Sequence, residues 1–135
     1  MATEGSNIRD GSNFVAAANY ASGAGLSGPN TSGQFLGMYI SASRTLTVDA
    51  TGGQVIYGVL QNSPASGGAC EVVIFGTTKV VAGAAFAVGA DLMTDSSGRF
   101  ITATSTNRRC AIAIEAATGS GQIITVHFTG ANRTA

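Results

Sequence analysis

GTTKVVAGAAFAVGADLMTDSSGRF, residues Gly76 to Phe100, is the stretch whose reading decides the fold. Short apolar runs in it are broken by glycine or by a turn signal every few residues, a texture of small β-strands joined by tight turns. Its clearest unit is a hairpin: Asp91 to Thr94, a turn over Asp95 to Gly98, and a return over Arg99 to Thr102. Asp and Ser bond their own backbone in such turns, and Gly98 supplies the positive φ needed at the exit. Nothing in the stretch has the residue types of a reaction centre.

Outward from it, the same texture runs from Phe35 onward. Strands are expected at Phe35 to Ser41, Arg44 to Asp49, Gln54 to Leu60, Ala69 to Phe75, Lys79 to Ala82, Asp91 to Thr94, Arg99 to Ala103, Arg109 to Glu115 and Gln122 to Thr129. No helical period intervenes, so the fold is expected to be all-β, a small β-barrel or sandwich of short antiparallel strands. Leu46 and Val48 alternate with threonines, and Ile124, Val126 and Phe128 alternate with Ile123, Thr125 and His127, which predicts one wet face for each strand. Gln54 to Leu60 and Glu71 to Phe75 are apolar on both faces. They are expected to be buried from both sides by a second sheet, the N-terminal arm or another subunit, and Val55, Tyr57, Val59, Val73 and Phe75 are the candidates for self-association.

Residues 1–34 are Gly, Ser, Ala and Asn with isolated Ile8, Phe14, Val15, Tyr20 and Leu26. Without a period of 2 or 3.6 they read as an extended arm preceding a β-domain at 35–135. Large apolar residues are wasteful in a free tail, so these five are the candidate anchors on a neighbouring molecule. A weak repeat relates Tyr57 to Leu60 plus Cys70 to Gly76 with Ile112 to Glu115 plus Gln122 to Gly130. It predicts two similar hairpins packed together, with Lys79 to Thr104 as their connection.

In 135 residues, 10% are charged and the formal net charge is +0. So weak a field excludes the electrostatic attraction on which nucleic-acid and anionic-membrane binding depend. Cys70 and Cys110 have no metal-ligand spacing and read as reduced, small hydrophobes. The N-terminus lacks a signal-peptide pattern, and synthesis in the cytoplasm is expected. His127 is expected to point outward as a structural or interface residue. Asp49 and Asp95 stand at turns, Glu71 and Glu115 at related hairpin ends, and Gly23-Ala24-Gly25 and Gly119-Ser120-Gly121 precede no helix, which removes the phosphate-cradle reading. No cofactor, metal or catalytic constellation emerges, and a Cys/His hydrolase using Cys70 or Cys110 with His127 is the weakest alternative. The chain is expected not to be an enzyme.

The second half carries a resemblance. Glu71-Val72-Val73-Ile74-Phe75-Gly76, Val80-Val81-Ala82-Gly83, Val88-Gly89-Ala90-Asp91-Leu92-Met93-Thr94-Asp95, Gly98-Arg99-Phe100, Ala111 to Ala117 and Ile124 to Phe128 together resemble the capsid decoration, or head cement, proteins of tailed bacteriophages. The resemblance spans roughly Gln54 to Gly130, and it departs at Ala113, where members commonly carry Gly. It implies a β-barrel-like domain on the outer surface of an assembled head, bound to the major capsid protein as a homotrimer at local threefold positions and stabilising the shell. A tail or fibre-tip protein that binds a host receptor is the rival reading.

Overall fold

The computed structural model describes residues 7–11, 13–22, 26, 30–104 and 109–132. Among them are ten strands and no helix, so the all-β expectation holds. β1 (Asn7–Asp10) and β2 (Val15–Ala16) come from the arm. β3 (Gly37–Ala42), β4 (Thr45–Val48), β5 (Gly58–Leu60) and β6 (Val72–Val81) follow. β7 (Asp91–Thr94), β8 (Phe100–Thr102), β9 (Arg109–Ala113) and β10 (Ile123–Asn132) complete the chain. They form one sheet in the order β2-β4-β3-β5-β6-β10-β9-β7-β8, with β1 added on β6. Only β2 and β4 run parallel; the other pairs are antiparallel. The two ends of this path do not join, so the barrel alternative gives way to an open sheet.

The hairpin of the opening stretch is present, with Leu92 opposite Thr102 and Thr94 opposite Phe100. Asp95 Oδ1 accepts the backbone N–H groups of Ser97 at 2.8 Å and Arg99 at 3.0 Å, and Gly98 takes φ 77°. A Cβ on Gly98 would stand 2.5 Å from Val48 Cγ1, so both the backbone angle and the packing require glycine there. Asp49 at the end of β4 is sealed and does similar work: its carboxylate accepts the N–H groups of Thr51 and Gly52 and, at 2.6 Å, the Thr94 hydroxyl. That bond ties two turns together.

Two of the expected strands are one. Ala69 to Phe75 and Lys79 to Ala82 merge into β6, because Gly76, at φ 109°, kinks the backbone without ending the ladder. The connection between the hairpins therefore begins near Ala82, not at Lys79. The hairpins themselves do pack together, since β6 and β10 pair directly from Ile123 opposite Val81 to Phe128 opposite Gly76. β5 and β1 both pair with Val72 and Val73 and so occupy the two edges of β6 at its start.

The core lies in two clusters. One gathers Val59, Val80, Leu92, Phe100, Val126 and Phe128, and the other Ala16, Tyr20, Leu36, Met38, Leu46, Leu60 and Val72. Neighbouring β5 residues Val59 and Leu60 serve opposite clusters, as successive side chains in a strand must. This explains the two-sided apolar run: the sheet covers one face, and the arm, through Ala16 and Tyr20, helps to cover the other.

Candidate docking face

A β-bulge decides which side of β6 meets solvent. The register with β1 jumps from Ile8 opposite Phe75 to Arg9 opposite Val73, leaving Ile74 without a partner. Before the bulge, odd-numbered Val73 lies opposite core residue Val59. After it, even-numbered Val80 belongs to the core, so odd-numbered Phe75 is turned outward.

Directly opposed residues in a ladder share a face. Ile8 therefore sits beside Phe75, and His127 lies between Thr77 on one side and Ile112 on the other. The His127 ring meets Phe75 edge-on, with centroids 5.2 Å apart and planes at 84°. A stripe of apolar side chains, interrupted by Thr77 and His127, thus crosses β1, β6, β10 and β9. Its members are exposed by 57% at Ile8, 47% at Phe75 and 41% at Ile112; Ile114 and Ile123 are exposed as well, Ile123 separated from His127 by buried Thr125. Exposed apolar side chains gathered on one face mark a contact with another molecule more often than scattered exposure does.

The expected anchors separate on this geometry. Ile8 and Val15 are exposed, Phe14 and Leu26 are half-buried against the second core cluster, and Tyr20 is 1% exposed inside it. Phe14 also stacks at a tilt on Tyr57, with ring centroids 4.8 Å apart. Of the candidates for self-association, Val59 and Val73 are sealed within the chain and offer no area to a partner, Val55 and Tyr57 are half-buried, and Phe75 is exposed. Ile112, Ile114 and Ile123 were absent from the sequence-based candidates. In Ala111-Ile112-Ala113-Ile114 the alanines face the core and the isoleucines face out, and an all-apolar run gives no pattern by which to tell the two.

The chemistry-bearing residues do not converge. Both cysteines are free and buried, and burial raises the Cys70 thiol to about 11 and the Cys110 thiol further still, the reverse of what a nucleophile needs. His127 points outward beside Phe75. Glu71 pairs with Arg9 at 2.8 Å, whereas Glu115 accepts the Thr125 N–H at 2.7 Å; hydrogen bonds from Thr125 hold the Glu115 carboxyl below its usual range. Among the described residues no group of three His, Cys, Asp or Glu could hold a metal ion, and no helix is long and apolar enough to cross a membrane. Gly23, Ala24 and Gly25 lie outside the described residues.

The family model of the phage cement protein matches residues 31–128. The chain belongs to that family. No curated protein matches it. Among solved structures, the N base of the head fiber gp8.5 of bacteriophage phi29 has a similar fold, with a TM-score of 0.61 over 94% of this chain and 100% of that one at 17% identity. Phage cement proteins are structural components of the virion, and membership implies association with the capsid. The resemblance read from the Glu71 to Phe128 motifs falls inside the matched segment.

Proposed function

We propose that this phage cement protein binds the outer surface of the assembled head and stabilises it, as a homotrimer at local threefold positions. The observation that supports the reading is the exposed apolar side chains of Ile8, Phe75 and Ile112 on one face of paired strands in a member of a cement family. That face is the part of the molecule offered to its neighbours, capsid subunits and adjacent copies alike. Exposed Val15 and the half-buried Phe14 and Leu26 form a secondary contact on the arm.

The mechanism is mass action. A molecule that binds only the assembled lattice shifts the equilibrium against loss of subunits, and many copies with linked contacts raise the effective concentration of each. Neither step needs a cofactor or a catalytic residue.

The test is co-sedimentation with heads assembled without the chain. Phe75→Glu and Ile112→Glu are expected to stay folded and lose occupancy; full occupancy by both variants counts against this face. Sedimentation equilibrium tests the trimer separately, and a monomer both in solution and on heads rejects it. The likeness to a head-fibre base favours a second reading, in which the chain is the base on which a fibre stands. Under that reading occupied heads carry a projecting partner above each copy.

A further inference from the structure

Away from the stripe, a pocket of about 200 Å³ opens between the arm and the β8 and β10 ends, lined by Asn30, Ser32, Gln34, Phe35, Arg99 and Ile123 among others. Arg99 is 9% exposed and forms no ion pair among the described residues. Its Nε donates to Asn30 Oδ1 at 2.7 Å and its Nη1 to Ser120 Oγ at 2.5 Å, while Asn30 Nδ2 donates to the Ser97 carbonyl at 2.8 Å. Asp95, at the start of the same turn, uses Oδ1 on the backbone N–H groups of Ser97 and Arg99. A guanidinium carries five N–H donors, so most of its hydrogen-bonding capacity is left over.

That remainder is not sealed. Among the described residues Arg99 Nη2 donates no hydrogen bond and is not sealed from solvent, and Arg99 lines the pocket. Among the described residues no acidic side chain lines it. The Arg99 guanidinium bonds only neutral oxygens, while the Asp95 carboxylate is engaged by the backbone N–H groups of its turn. A cation held away from water without a paired charge is costly, and a counter-charge supplied from outside offsets that cost. The wall also carries Phe35 at φ 68°, a conformation that bulky residues rarely hold, fixed by its N–H to the Leu60 carbonyl at 2.6 Å and its carbonyl to the Val81 N–H at 3.1 Å.

We propose that this pocket receives a carboxylate on Arg99, supplied by an acidic side chain of a protein neighbour. The planar Nη1/Nη2 edge matches the two oxygens of a carboxylate, and a single positive charge balances it. A phosphate dianion would remain half-neutralised. The carboxylate chemistry stands on the pocket alone, while the neighbour as its source rests on the head-protein reading.

The test follows the Arg99 Nε–H resonance of ¹⁵N-labelled protein during titration with acetate, with an amidated Gly-Glu-Gly peptide, and with chloride at matched ionic strength. Acetate and the peptide are expected to give saturable shifts and chloride none. Arg99→Lys is expected to weaken both by about tenfold or more, as loss of a charged hydrogen bond does. Asn30→Asp supplies an internal carboxylate to Nε at unchanged size, at the loss of the Nδ2 bond to the Ser97 carbonyl, and is expected to abolish acetate binding while the chain stays folded. Equal shifts with chloride, or acetate binding unchanged in Asn30→Asp, overturn the site. Acetate binding without peptide binding overturns the side-chain source. If Asn30→Asp loses acetate but occupies heads fully, the neighbour is rejected while head binding itself stands.

Discussion

The Tyr20 hydroxyl accepts the Val48 backbone N–H at 3.0 Å, with the Tyr20 ring sealed in the second core cluster. The arm is therefore fastened to β4 by a buried hydrogen bond as well as by apolar contact, and Ala16 adds backbone bonds to Gly67 and Gly68. Tyr20→Phe strands the Val48 N–H and is expected to cost about 1–3 kcal/mol. Tyr20→Ala adds a cavity and is expected to cost about 3–5 kcal/mol. Urea unfolding midpoints check both, and equal stability of Tyr20→Phe and wild type would contradict the buried bond.

Gly98 and Gly89 both hold positive φ, at 77° and 84°, yet their surroundings differ. A Cβ at Gly98 meets Val48 Cγ1, and at Gly89 it meets nothing within 4 Å. Gly89→Ala is expected to lose only the left-handed backbone cost, about 1–2 kcal/mol, and Gly98→Ala more than that. Thermal unfolding of the two variants isolates the Val48 contact by difference.

Alkaline pH is expected to unfold the chain. Burial, with the Asp10 carboxylate accepting the Tyr57 O–H at 2.6 Å, pushes the phenol up to about 12 from an ordinary 10.0. Burial lifts Cys70 to about 11 from 9.0, and raises Tyr20 and Cys110 as well. Each folded pKa exceeds its unfolded value, so each contribution is whole below the unfolded pKa and is lost as pH rises through the folded one. Melting temperature should fall from pH 9 upward, and Tyr57→Phe should flatten the part of that fall above pH 10. A flat profile from pH 9 to 11.5 would contradict the assignment.

Thiol reactivity follows from the same burial. Cys70 and Cys110 are expected to resist iodoacetamide at pH 8 in the folded protein and to react fully in urea. Mass spectrometry reads the difference, and rapid labelling of the native chain would place a thiol at the surface.

Much of the fold was legible because local chemistry decided it. Asp95, Ser97 and Gly98 specify their turn by themselves, and the threonine alternation around Leu46 and Val48 marks the wet face of β4 without help from distant residues. The face of β6 was not legible. One unpaired residue, Ile74, inverts the parity of everything after it, and a bulge depends on β1, some 65 residues away in sequence. Ile8 and Phe75 stand out in the sequence as contact candidates, but that they share a face does not, for that reason; Ile112 is hidden because Ala111 to Ile114 offers no polar residue to mark its outer side. Composition shows that a large side chain such as Tyr20 must be buried, not by which molecule, and the fold buries it within its own chain. The Arg99 pocket joins Asn30, Arg99 and Ser120, residues that only tertiary folding brings together.

Charge placed on the stripe should separate stability from binding. Phe75→Glu and Ile112→Glu alter exposed side chains and are expected to change unfolding free energy by about 1 kcal/mol or less, while head occupancy is lost. Heads lacking the chain should also release subunits at a lower temperature than occupied heads.

The most direct measurement is electron microscopy of heads assembled with and without this chain. The account predicts added density over the local threefold positions, three copies each, with the Ile8, Phe75 and Ile112 face turned toward its neighbours. Heads that show no added density, or density confined to the tail, would contradict it.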